Sequence, residues 1–187
     1  THQPALGKYR HVEDLQIADG WGHSGFPIMY YNEWQIGVPK EFIYKSAGWG
    51  VWHELGHNYQ QDIWAIVYDV EVTVNIWSLF AQERLFGNSN LVDENSYASA
   101  IAILNDPLVT NKWEKANKLV FLDQIRLGFP ELNWDLWTQL VRRYRDMPAS
   151  EYDLITTDQL MRDKFLEVLC DITQTNLTPH FEAWTID

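Results

Sequence analysis

The segment "GWGVWHELGHNYQQ", residues 48–61, sets two histidines around a glutamate inside an apolar and aromatic run. Unpaired imidazole or carboxylate groups are costly to bury, so this run has to give them partners or expose them. His53 and His57 are four residues apart, which on an α-helix puts both rings on one face, one turn from each other. There they can converge on one ion, and neutral imidazole suits zinc. Glu54, one step from His53, stands beside such an ion, placed to take a proton from an activated water. A helix is therefore expected here, carrying either a metal site or a pair of hydrogen-bonded histidines with Glu54 solvated. A zinc site would need a further ligand, because catalytic zinc sites generally use three protein groups.

No histidine follows in "HNYQQDIWAIVYD", which removes the metzincin type of continuation. A glutamate on a later helix is the other common solution, and Glu71 lies fourteen residues after His57. Asp62 and Asp69 compete with it. Asp62 would need the chain to turn back sharply, and Asp69, two residues from Glu71, points elsewhere if both are helical. The stretch "VEVTVNIWSLFAQERLFG" predicts one helix closed by Gly87, with Val70, Val74, Trp77, Ala81 and Leu85 as its core stripe. Glu71, Asn75, Ser78 and Gln82 form a polar line on another face, which needs water or a site to face. Amide oxygens suit zinc poorly, so Asn75 and Gln82 are expected to orient other groups or meet water.

Glycine and proline concentrate in residues 1–47, where "PIMYY" reads as a strand bounded by turns. From residue 48 the pattern is helical to the end. Thr156 with Gln159 reads as a capping box, and Thr178 with Pro179 as an N-cap followed by proline at the first helical position. The expected fold is α+β, mainly α, with an N-terminal β-containing part over 1–47 and zinc-binding helices plus an α-helical subdomain over 48–187. Together they make one catalytic domain. The chain opens on Thr1 and is read as a fragment of a longer protein.

A formal charge of -12 repels a phosphate backbone, and the run Arg142, Arg143, Arg145 reads as a solvated helix face, so nucleic acid is not an expected partner. Cys170 is the only cysteine, which excludes an intrachain disulfide and cysteine-based zinc motifs. Its apolar helical context predicts a buried, inert thiol. No apolar run reaches membrane-spanning length. Of the ten tryptophans, Trp77, Trp134 and Trp137 fit helix packing, whereas Trp49 and Trp52 flank the histidine motif.

"HELGHN" with Glu71 inside "EVTVNIWSLFAQERLFG", "SGFPIMYY" ahead of the motif and "NLTPHFEAW" near the C-terminus together resemble the enhancin-like, mucin-degrading zinc metallopeptidases of the M60 family. In the last segment His180 stands where that family usually has phenylalanine. The resemblance spans roughly residues 20–185. It implies a gluzincin-like catalytic domain with His53, His57 and Glu71 as zinc ligands and Glu54 as general base. The implied reaction is hydrolysis of peptide bonds in glycoproteins, mucin-type O-glycosylated substrates above all, outside the producing cell, by a secreted or cell-surface enzyme. Tyr30, Tyr31, Tyr97, Tyr144 and His180 are candidates for a second donor to the oxyanion. The alternative is a glycan- or protein-binding module on the same fold that no longer cuts. The sequence leaves the oligomeric state open.

Overall fold

The computed structural model describes residues 8–14, 17, 20, 22–31, 48–61, 64 and 69–186. Asp62, His2 and the expected boundary at residue 47 lie outside the described residues. Three strands, β1 (His11–Asp14), β2 (Gly22–His23) and β3 (Ile28–Tyr31), precede the helices. These are α1 (Trp49–His57), α2 (Val70–Thr73), α3 (Asn75–Phe86), α4 (Asn90–Asp93), α5 (Ser96–Asn105) and α6 (Lys112–Lys115). They are followed by α7 (Lys118–Gly128), α8 (Asp135–Arg145), α9 (Ala149–Tyr152), α10 (Asp158–Thr173) and α11 (Thr178–Ala183). The result is a mainly helical α+β fold with a small sheet. Among the described residues no helix is long and apolar enough to cross a membrane.

The chain divides into two compact units, one made of residues 1–60 and 74–90, the other of 61–73 and 91–187. In the first, β3 is central, parallel to β1 and antiparallel to β2, with Gly22 opposite Tyr30. Side chains alternate across a strand, so Ile28 and Tyr30 share one face. Both are fully buried and pack on Val51 of α1, with Tyr9 and Leu55 at the margin. Helix α1 in turn lies against α3. A side chain at Gly56 would collide with Val74, and Ser78 donates to the Trp49 carbonyl at 3.0 Å.

Helix α3 differs from its expected phase. Val70 and Leu85 are 48% and 41% exposed, whereas Ser78 and Gln82 are buried beside Val74, Ile76, Leu79 and Ala81. Ser78 and Gln82 of the polar line turn inward because each finds a protein partner. Gln82 donates to the Asn90 side chain at 2.8 Å and accepts the Asn90 N–H at 2.9 Å. The expected single helix is recorded as α2 and α3, although Val74 between them keeps right-handed helical dihedrals. Its end is as expected: Gly87 is left-handed, and its N–H bonds the Glu83 carbonyl.

In the second unit Phe121 centres an aromatic cluster. Trp113, Phe181 and Trp184 meet it edge-on at 5.5, 5.0 and 5.6 Å, and His180 stacks on it at 4.7 Å. Such edge-to-face pairs add to the burial of the rings themselves. A buried polar network adjoins the core of α7. Asp123 accepts from Arg126 at 2.6 Å and from the Tyr97 hydroxyl, while Arg126 reaches Asn133 at 2.8 Å and covers the Trp134 ring. Two cap assignments are corrected. Thr157, not Thr156, accepts the Leu160 N–H at the start of α10, because Thr156 belongs to the preceding turn. At the last helix Thr178 is already helical, Leu177 is the boundary residue, and Asn176 accepts the Thr178 N–H. Cys170 is half-buried rather than buried, and its sulfur accepts the Leu177 N–H.

Candidate metal centre

His53 and His57 both project from α1, with their Nε2 atoms 3.1 Å apart and their rings nearly perpendicular. Each ring is held from behind. The Nδ1 of His53 lies 2.8 Å from the Asn75 amide oxygen, and that of His57 lies 3.0 Å from the amide oxygen of buried Gln60. An amide oxygen only accepts, so each Nδ1 carries the proton and donates it. In the neutral imidazoles both Nε2 atoms then present lone pairs to each other. Two lone pairs at that distance repel unless a cation lies between them. Tetrahedral zinc with bonds of roughly 2.0–2.1 Å would hold two nitrogens about 3.3 Å apart. The pair therefore fits a metal, and the tethers behind the rings are the kind that fix tautomer and direction in metal sites.

Among the described residues, His53, His57 and Glu71 are the group of three histidine, cysteine or carboxylate side chains able to hold an ion. Two imidazoles and a carboxylate are a donor set that zinc accepts. Glu71 is exposed on α2, four residues before Asn75 along a helical path. Asp69 is engaged elsewhere, in an ion pair with Lys118, whose charge also meets Glu114 at 3.3 Å.

Glu54 faces the sheet and is 7% exposed. Its neighbours are Gly22 and Tyr30. The Tyr30 phenol, pushed up by burial and by the charge of Glu54, pairs with Nδ1 of His11 at 3.0 Å. Burial in turn lowers the pKa of His11. Of the other proposed donors, Tyr31 is half-buried, Tyr97 bonds Asp123, Tyr144 is buried in α8, and His180 donates to the Phe121 carbonyl. Sequence reasoning missed Gln60 and Gly22. Gln60 had a signal, its position three residues past His57; Gly22 had none.

A model of the peptidase M60, enhancin and enhancin-like family matches residues 2–185. The chain belongs to this family. The M60 chain is 32% identical over 183 residues to a TRPM8 channel-associated factor homolog from Xenopus laevis, covering 94% of itself and 19% of that protein. It thus spans about a fifth of the length of the curated relatives it matches. Its fold superposes with a TM-score of 0.81 on a functionally unknown conserved protein from Bacillus anthracis, at 29% identity, covering 95% of the M60 chain and 36% of the other. The IMPa metallopeptidase from Pseudomonas aeruginosa matches at a TM-score of 0.66 and 22% identity, over the whole M60 chain and 25% of that protein, a likeness of fold alone.

Proposed function

We propose that this M60 domain is a zinc metalloendopeptidase that hydrolyses peptide bonds in glycoproteins, with mucin-type O-glycosylated chains as its substrate class. The observation that carries the reading is the facing Nε2 pair, with each Nδ1 held against a side-chain amide oxygen. His53 and His57 would hold the ion through Nε2, and Glu71 would contribute a carboxylate oxygen as third ligand. Zinc in such a site supplies Lewis acidity at the scissile carbonyl and makes water a stronger acid. Glu54 receives the proton of the attacking water at its carboxylate and hands it to the leaving amine. Asn75 and Gln60 keep the imidazoles aimed while this happens. A glycoprotein substrate also favours a secreted or cell-surface setting.

The second reading is a domain that binds glycan or protein without cutting. What favours it is that curated relatives are named as channel-associated factors. One comparison separates the two. The metal-reloaded protein should hold about one zinc per chain and cleave an O-glycosylated mucin fragment, while Glu54→Gln keeps the zinc and loses cleavage. A protein that takes up no stoichiometric metal removes the peptidase reading; one that binds zinc and the fragment but releases no peptide leaves the binding module.

A further inference from the structure

We infer that Gly22 is the positioning residue for the Glu54 carboxylate, an inference that rests on the assignment of Glu54 as the base. Strand β2 passes beside α1, and a Cβ added to Gly22 would lie 3.0 Å from Tyr30 Cδ1, 3.1 Å from Glu54 Cγ and 3.2 Å from Glu54 Oε1. All three separations are shorter than ordinary van der Waals contact. Backbone conformation does not call for glycine here, since Gly22 is absent from the positive-φ residues, unlike Gly20, Gly25 and Gly87. What opposes a side chain is crowding: one of these neighbours would have to give by a few tenths of an ångström.

The two neighbours differ in their freedom to move. Tyr30 is fully buried against Ile28 and Val51, its hydroxyl is paired with His11, and its ring lies parallel to the His11 ring at 5.7 Å. It is also opposite Gly22 in the β2–β3 register, so it cannot withdraw without disturbing the sheet. Glu54 has three side-chain torsions, and its carboxylate is the end that can swing. A methyl group at position 22 therefore displaces Glu54. The bare backbone at Gly22 is the wall against which the carboxylate rests, and none of the three atoms nearest to the added Cβ belongs to His53 or His57.

The test uses Gly22→Ala in the intact chain, alone and with Glu54→Gln. Zinc content and the absorption spectrum of the cobalt-loaded protein should match wild type. The kcat on an O-glycosylated mucin fragment should fall roughly 10- to 100-fold with KM within about twofold, the size of loss expected for a misplaced group. Adding Gly22→Ala to Glu54→Gln should cost nothing further, and the crystal structure of Gly22→Ala should show the carboxylate moved. A folded, zinc-loaded Gly22→Ala with kcat within about twofold of wild type, or with Glu54 in its original place, overturns the assignment. If wild type itself does not cleave, the peptidase reading fails and the position of Glu54 in the crystal structure alone judges Gly22. If Gly22→Ala does not fold, it is combined with Glu54→Asp, which is one methylene shorter. Recovery of folding shows that the Cβ meets Glu54, and failure to recover overturns the inference.

Discussion

Gly56, the fourth residue of the H-E-L-G-H motif, sets how closely α1 and α3 approach, and Gly56→Ala measures that closeness. The new Cβ would stand 2.8 Å from Val74 Cγ2, 3.0 Å from the Val74 carbonyl oxygen and 3.3 Å from Trp77 Cβ. The valine methyl can rotate away. The carbonyl cannot, because it accepts the Trp77 N–H at 3.2 Å and opens the hydrogen bonding of α3. The helices must separate by several tenths of an ångström. Overpacking of this kind costs about 1–3 kcal/mol, and a rigid backbone partner places it in the upper half of that range. Alanine returns up to about 1 kcal/mol through helix propensity, leaving a net loss of about 1–2 kcal/mol. For a chain of this length that is a fall in Tm of roughly 2–8 °C. Gly128, near the end of α7, is the control: an added Cβ meets nothing within 4 Å, so Gly128→Ala should be neutral or raise Tm slightly. Thermal unfolding followed by circular dichroism in excess chelator reads both without interference from metal. A Gly56→Ala protein as stable as wild type would refute the reasoning, since it would mean that α1 and α3 are not in contact through this glycine.

Two further outcomes are expected. Asn75→Ala removes the acceptor behind His53 and should weaken zinc binding about 10- to 100-fold while the far-ultraviolet spectrum stays unchanged; affinity within about twofold of wild type, by competition with a chromophoric chelator, would show that the tether does not aim the ring. Burial lowers the pKa of His180 despite its bond to the Phe121 carbonyl, so the unfolded chain binds this proton more readily than the native one. Stability is then lost as pH falls below about 6.5, the unfolded value. His180→Phe removes that loss, and its Tm should decline less than wild type between pH 7 and pH 5.5; parallel declines would exclude His180 as a source of acid sensitivity.

The helix bearing the two histidines was legible because its constraint is chemical as well as periodic: one spacing serves both the ion and the turn. The stop at Gly87 was legible for a similar reason, since a left-handed residue favours glycine. The phase of α3 was not. Periodicity ranks side chains by hydropathy, and it counted Ser78 and Gln82 as outward because it had no means of knowing that the Trp49 carbonyl and Asn90 would meet them. The same limit hid the shift from Thr156 to Thr157, two threonines with equal capping ability and different backbone positions. Gly22 was illegible on other grounds: its requirement comes from a neighbour on α1, and local sequence carries no trace of a contact between a strand and a later helix.

The first unit is discontinuous, leaving at residue 60 and resuming at residue 74, while the second begins inside that interval and continues from residue 91. No single recombination breakpoint can therefore separate the two units, and one falling at residue 60 would pass on His53 and His57 without Asn75, the acceptor that aims one of them. Gene shuffling among relatives of this protein is thereby restricted: exchanges that keep the imidazole pair aimed must carry the span from His53 through Asn75 as one heritable block, excursion included.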